Sequence, residues 1–166
     1  DKREILDERD RNLSTKAFGE NLEMLDKRAG MYDGKVMINT GNESVDRFVN
    51  IWLKRQMDFG KTWARGYAVG SRDMMQDVTG FVPLDTSIVR EKLIYAMQFV
   101  RPNGNIIRSF VPIMDVISHD CSSWMITAVC QYIKESGDFD LLDIDCKYYE
   151  SDEHGTVLDH LLRASE

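Results

Sequence analysis

Apolar side chains recur at helical spacing from Ser44 onward. In the first predicted helix, residues 44–58, they fall three and four positions apart, at Val45, Phe48, Val49, Trp52 and Leu53. Such a stripe is typical of a helix that buries one face, so Trp52 is predicted to lie in the core. Ser44 is the candidate N-cap of this helix.

Four more helices are predicted after residue 70. Their ranges are 71–81, 86–100, 121–136 and 155–164. Pro83 ends the first of them, Asp85 caps the second, and Gly137 closes the third. A short helical piece is also predicted in DFDLLDID, which follows Gly137.

The segments between these helices are polar and irregular. GKVMINTG at 34–41 predicts a short extended segment, and NIIRSFVP at 105–112 predicts an extended or irregular loop. Strands do not alternate with helices along the chain, which argues against a parallel α/β sheet. We therefore predict an all-α fold, a toroid or an array of helical hairpins, with functional loops at one end.

Composition divides the chain into three parts. Residues 1–33 are densely charged and only loosely periodic, and we expect a helical linker there. Residues 34–43 form the short extended segment, and residues 44–166 form the main helical domain. The first residue is Asp rather than Met, so we expect the chain to be a fragment of a longer protein.

The bulk composition is that of a globular domain. The 166 residues are 43% hydrophobic and 30% charged, with a net charge of -7. The acidic balance argues against a nucleic-acid or anionic-membrane partner, and no apolar run reaches transmembrane length. The cysteines form no CxxC pair and the histidines have no metal-ligand spacing, so we expect a reduced cytoplasmic protein without a metal site.

The candidate chemistry centres on GYAVGSRDMMQD, residues 66–77. Arg72 and Asp73, with Gln76 and Asp77 one turn later, form either a ligand-facing helix start or a solvated charged one. Neighbouring loops place aromatic residues beside charged ones, which suits a carbohydrate site. Those residues are Trp63, Arg65, Tyr67, Arg108, Phe110, Asp120 and Trp124. Burial in the core is the alternative interpretation for Trp63 and Trp124.

Six motifs in order resemble glycoside hydrolase family 94, the inverting β-glycoside phosphorylases. They are VNIWLKRQ, SRDMMQD, GNIIRSFVP, SHDCSSW, YIKESGDFDLLD and TVLDHLLRA. The similarity runs from about Asn42 to Ala164. LKRQ, TWARG and NIIRSF are most similar to the 1,2-β-oligoglucan phosphorylase branch.

This resemblance implies a fold and an activity. Residues 1–33 would be the family's helical linker, and 44–166 the opening part of its (α/α)6 barrel. The implied reaction cleaves a β-glucosidic bond of a di- or oligosaccharide with inorganic phosphate, giving α-glucose 1-phosphate with inversion. A cytoplasmic homodimer without a metal or organic cofactor is implied as well.

The resemblance also implies site residues. Arg72 and Asp73 match the Arg-Asp pair that lines the subsite of the sugar to be phosphorylated. Arg65 matches an upstream Arg, and Asp120 belongs to the Asp-x-x-x-Trp motif, so both are expected to bind substrate. Gln76, Asp77 and Trp124 are expected to hold these residues in place.

The sequence departs from the family pattern at Ser71, where an aromatic residue is usual, and at Tyr67, where Gly is common. Both differences bear on sugar specificity. No Trp follows an Asp, so the family's Asp-Trp-Asn-Asp motif, which carries the general acid, is expected downstream. We expect no catalytic residue in this chain and no activity from it alone.

Two other functions fit the same sequence. One is a non-catalytic helical module that binds sugar or serves as a scaffold. The other is a glucan hydrolase or lyase built on the same toroid, which would release sugar without phosphate.

Overall fold

A computed structural model of the protein describes residues 2–63, 68–118 and 120–166. The chain folds as two compact units, Asp1–Met37 and Ile38–Glu166. The first unit contains helices α1 (Lys2–Asn12) and α2 (Thr15–Gly30). The Ser14 hydroxyl caps α2 by accepting a 3.0 Å hydrogen bond from the Ala17 N–H. The function of this unit as a linker stays a prediction.

Residues 34–43 form no strand in the described structure. Gly34 and Gly41 both have positive φ, 80° and 78°, so turns interrupt the segment at both ends. Asn50 holds its middle, because its side chain accepts from the Ile38 N–H and donates to the Ile38 carbonyl. The prediction that residues 34–43 are a separate extended segment stays a prediction.

The second unit opens with one long helical run. It consists of α3 (Glu43–Arg47), a π-helical turn (Phe48–Leu53) and α4 (Lys54–Trp63). Asn42, rather than Ser44, caps the run, since its side-chain oxygen accepts from the N–H groups of Ser44 and Val45. The helix predicted at 44–58 is thus confirmed, with an earlier start and a later end.

The burial predicted for Trp52 is wrong. Its side chain is 52% exposed, and Val45, Phe48 and Leu53 on the same stripe are exposed as well. Trp52 lies in the π-helical turn, whose i→i+5 bonding departs from the 3.6-residue period, but Val45 is exposed before that turn begins. The helical spacing of apolar residues in 44–58 therefore does not identify a buried face of this helix.

Four further helices follow in the second unit. They are α5 (Ser71–Phe81), α6 (Thr86–Met97), α7 (Cys121–Ser136) and α8 (Val157–Ala164). The predictions for α5 and α7 are confirmed at both ends. Asp85 caps α6 as predicted, and Gly137 closes α7 with φ 70°. A 3-10 turn at Phe139–Asp143 confirms the short helical piece.

Two helices are shorter than predicted, because residues at one end of each predicted range form β-structure instead. α6 stops before residue 100, since Val100 forms a β-bridge with Ile106. α8 starts after residue 155, since His154–Thr156 is a strand, and Thr156 then caps the helix in a capping box with Asp159.

Small antiparallel sheets correct the all-α prediction. One sheet has the order β1-β2-β3, formed by Val69–Gly70, Ile107–Val111 and Ile113–Ile117. A separate hairpin pairs β4 (Asp145–Lys147) with β5 (His154–Thr156). β2 falls within the segment predicted to be extended or irregular, whereas β3 was not predicted, because IMDVI lacks a period-2 pattern.

The core of the second unit lies between helices. α5 packs on α4, α6 and α7, and α8 packs on α7. Met75, Val89, Leu93 and Met125 are fully buried in this layer. The mostly helical prediction is confirmed in the described chain, and the (α/α)6 barrel stays a prediction.

Candidate substrate-binding site

The three-stranded sheet fixes the start of α5. β1 runs directly into the helix, and Gly70 pairs with Ser109 of β2. The Ser71 hydroxyl donates to the Arg108 carbonyl at 3.3 Å, and the Ser109 hydroxyl donates to the Val69 carbonyl at 3.2 Å. Both serines are fully buried, so these bonds anchor the first turn of α5 to the sheet.

Arg72 and Asp120, both predicted from the sequence to bind substrate, meet in this structure. Arg72 Nη1 donates to Asp120 Oδ2 at 2.8 Å, although the residues are 48 positions apart. The hydrogen bond from Arg72 lowers the pKa of Asp120, and the bond to Asp120 raises the pKa of Arg72. Their side chains are 51% and 49% exposed, so a ligand can reach the pair.

Asp73 lies next to this pair, in the first turn of α5. Its carboxylate folds back onto Gly70, so that a β-carbon placed on Gly70 would lie 2.8 Å from Asp73 Oδ2. A side chain at position 70 would therefore displace the Asp73 carboxylate from its place in this site. We call Arg72, Asp73 and Asp120 the α5–α7 site.

Trp124 is joined to this site through the backbone. Its N–H donates to the Asp120 carbonyl at 3.1 Å, in the first turn of α7. The Asp120 side chain makes no cap bond to α7 and binds Arg72 instead. Trp124 is half-buried, which places it between the core and solvent. Its expected task of holding the site in place stays a prediction.

Gln76 and Asp77 lie one turn further along α5, and both are half-buried. The Asp77 carboxylate packs on Gly60 of α4, where an added β-carbon would lie 3.3 Å from it. Asp77 also lines a cavity of about 200 Å³, together with Lys92 and Tyr95. No sequence signal marks Lys92, because its neighbours on α6 show only the pattern of a buried helix.

Arg65, the remaining predicted substrate-binding residue, lies outside the residues that the structure describes, as do Gly66 and Tyr67. Arg72, Asp73 and Asp120 are thus the candidates whose arrangement is visible. A larger cavity, about 560 Å³, lies at the β4–β5 hairpin, and none of the predicted site residues lines it.

Within 2–63, 68–118 and 120–166, no group of three His, Cys, Asp or Glu side chains is placed to hold a metal ion. Of the helices described, none combines the length and apolar character needed to cross a bilayer.

Comparison with known proteins supplies a family. The model of the catalytic domain of the Glycosyl hydrolase 94 superfamily matches residues 33–166. Solabiose phosphorylase of Paenibacillus borealis is 28% identical over 132 residues, which are 78% of this chain and 17% of that protein. The 3-O-beta-D-glucopyranosyl-beta-D-glucuronide phosphorylase of the same organism is 25% identical over 141 residues, 80% of this chain and 18% of that protein. The chain thus spans less than a fifth of the length of these curated relatives.

Proposed function

The chain belongs to the glycosyl hydrolase 94 superfamily, and we propose that it is part of a glycoside phosphorylase. In this proposal the protein that carries it cleaves a β-glucosidic bond of a di- or oligosaccharide with inorganic phosphate and releases α-glucose 1-phosphate. The observation that carries the proposal is the Arg72–Asp120 ion pair at 2.8 Å with Asp73 beside it. Both named relatives are phosphorylases, which supports the same reaction class.

The α5–α7 site has the chemistry that a sugar ring requires. Carboxylate oxygens of Asp73 accept hydrogen bonds from sugar hydroxyls, and the guanidinium of Arg72 donates to hydroxyl or ring oxygens. A guanidinium carries five N–H donors, and the bond to Asp120 uses one of them. Asp120 thereby orients Arg72, which limits the reorganisation needed when sugar binds.

The proposed reaction is a single displacement with inversion. A phosphate oxygen forms a bond to the anomeric carbon while the bond to the glycosidic oxygen breaks on the opposite face, and a general acid protonates that leaving oxygen. In this scheme Arg72 and Asp73 bind and orient the sugar, and Asp120 positions Arg72. The acid is expected from the part of the family fold that this chain does not contain.

The remaining assignments extend this proposal. We propose a substrate made of β-linked glucose units, because the sequence most resembles the 1,2-β-oligoglucan phosphorylase branch of the family. A cytoplasmic homodimer with phosphate as co-substrate and no organic or metal cofactor completes the proposal.

A phosphorolysis assay on the protein that carries this chain tests the proposed phosphorylase function. Glucose 1-phosphate should appear from a β-glucan oligomer only when inorganic phosphate is present. Sugar release that does not need phosphate would indicate the hydrolase or lyase. No product from any β-linked glucose oligomer, together with measurable sugar binding, would indicate the non-catalytic module.

A further inference from the structure

Arg108 stands apart from the other arginines of the sheet and the α5–α8 helices. Each of the other four in the ranges 68–118 and 120–166 is paired with a carboxylate. These pairs are Arg72–Asp120, Arg90–Asp138, Arg101–Asp115 and Arg163–Glu153. Arg108 is exposed, and its side chain has no hydrogen-bond or ion-pair partner in the described chain.

The backbone places Arg108 at the α5–α7 site. Its carbonyl accepts the hydrogen bond of the buried Ser71 hydroxyl, directly before Arg72 in the chain. The next residue, Ser109, pairs with Gly70, against which the Asp73 carboxylate folds. The backbones of Arg72 and Arg108 therefore lie close together, because the hydrogen bond from the Ser71 hydroxyl to the Arg108 carbonyl joins them.

The Arg108 side chain is exposed on β2. Its neighbours Ile107 and Ser109 are 1% and 0% exposed, so both point into the protein. Arg108 lies at an irregularity of the β2–β3 pairing, between these two buried residues, and its own side chain is exposed to solvent. Arg72 is exposed as well, so both guanidinium groups face solvent beside the same helix start.

We infer that Arg108 is a further sugar-binding residue of the α5–α7 site. This inference rests on the proposed function. With Arg108 included, guanidinium N–H donors come from both α5 and β2, and the carboxylates of Asp73 and Asp120 supply acceptors. Donors and acceptors together suit a polyhydroxyl ligand.

The exposed, unpaired guanidinium has another explanation, which is simple solvation. Arg47 supplies the matched control, because it is exposed, lies on α3 and also has no side-chain partner in the described chain. Solvation alone predicts that Arg47 and Arg108 behave alike towards sugar. A binding role predicts that only Arg108 responds.

The test measures binding of glucose to the isotopically labelled chain, by NMR of the arginine Nε–H groups. The variants Arg108→Lys, Arg72→Lys and Arg47→Lys assign the three resonances by their disappearance. Glucose should shift the Arg72 and Arg108 resonances along one saturation curve and leave that of Arg47 in place. Arg108→Ala should weaken glucose binding by about tenfold, the loss typical of one charged hydrogen bond. Arg47→Ala should not change it.

The outcomes separate this inference from the proposed function. A shift at Arg72 without one at Arg108 would overturn the inference and leave the α5–α7 site as a sugar site. If neither residue responds, the inference and the sugar site fall together. Equal responses at Arg47 and Arg108 would return Arg108 to a solvated residue.

Discussion

The guanidinium of Arg72 on α5 is held by the carboxylate of Asp120 at the start of α7, with Nη1 and Oδ2 at 2.8 Å. Both groups are about half exposed, so solvent screens the pair and its contribution to folding stability is small. The pair instead determines where the Arg72 donors point. Its consequence should appear in sugar binding and not in the unfolding midpoint.

The first prediction is that Arg72 and Asp120 act as one unit. Arg72→Ala and Asp120→Ala should each weaken sugar binding, and the double variant should lose little more than Arg72→Ala alone, because Asp120 acts through Arg72. The measurements are the glucose affinity of the four proteins and kcat/KM of phosphorolysis in the protein that carries the chain. Additive losses would show that Asp120 contacts sugar by itself.

The second prediction concerns Asp73. Asp73→Asn should lower kcat/KM of phosphorolysis by roughly ten- to a hundredfold, the equivalent of about 1.5–3 kcal/mol for a charged hydrogen bond in the transition state. Asn is nearly isosteric, so the packing against Gly70 should persist and the circular dichroism spectrum should not change. A variant with wild-type kinetics would identify Asp73 as part of a charged helix start without a role in substrate binding.

Local signals explain which parts of the fold were predictable. The ends of α5 and α7 follow from Pro83 and Gly137, and Asp85 fixes the start of α6. Each of these residues acts within its own helix or the adjoining turn, so sequence alone is sufficient. In contrast, the π-helical turn around Trp52 depends on backbone bonding that no residue type marks.

The site, like the fold, combines residues that a local motif predicts with an arrangement that the sequence does not predict. Arg72 and Asp73 were recognised within one short motif, but their relation to Asp120 depends on strands that pair across the chain. Gly70 pairs with Ser109, and β2 in turn pairs with β3, which precedes α7. Such non-local pairing brings the starts of α5 and α7 together, and no spacing in the sequence encodes it. The sequence predicts only that Arg108 lies in a loop. Its place beside the start of α5 follows from the pairing of β1 with β2.

The third prediction is that His160 makes the fold sensitive to acid. Its ring is fully buried and stacks on Tyr148 with centroids 3.9 Å apart. Nδ1 donates to the Thr156 carbonyl at 2.8 Å, while Nε2 is buried without a hydrogen-bond partner in the described chain. Burial lowers the pKa of His160, because an imidazolium there would lose its hydration.

The sign of the pH effect follows from this lowered pKa. Above the ordinary His value of about 6.5, the ring is neutral in both the folded and the unfolded chain. Below it, the unfolded chain takes up a proton that the folded chain does not, so the free energy of unfolding falls until the folded pKa is reached. Urea unfolding of the wild type at pH 8 and pH 5 should show this loss.

Two histidine variants isolate the effect. His160→Phe keeps an aromatic ring against Tyr148 and cannot titrate, so it should reduce the difference in stability between pH 8 and pH 5. His154→Gln alters an exposed histidine that pairs with Asp145, and it should keep the larger part of that difference. An unchanged pH difference in His160→Phe would assign the acid sensitivity to other groups.

The last prediction compares two glycines that share a backbone conformation. Gly104 has φ 81° and Gly137 has φ 70°, both in the left-handed region. The carbonyl group of Arg163, near the end of α8, packs directly on the α-carbon of Gly104, so that a β-carbon there would overlap it. Around Gly137, by contrast, an added β-carbon meets nothing within 4 Å. Gly137→Ala therefore carries only the cost of a left-handed backbone with a β-carbon, roughly 1–2 kcal/mol.

Gly104→Ala carries the same backbone cost and must also push α8 away from the loop before β2. Overpacking of this kind costs a further 1–3 kcal/mol or so. The displacement would strain the 3.0 Å bond from Arg163 to the Pro102 carbonyl and the 3.1 Å bond from Ser122 to the Gly104 carbonyl. Thermal unfolding should consequently show a clearly lower midpoint for Gly104→Ala than for Gly137→Ala. Equal midpoints would mean that the C-terminal end of α8 yields freely and that its contact with Gly104 contributes little to the fold.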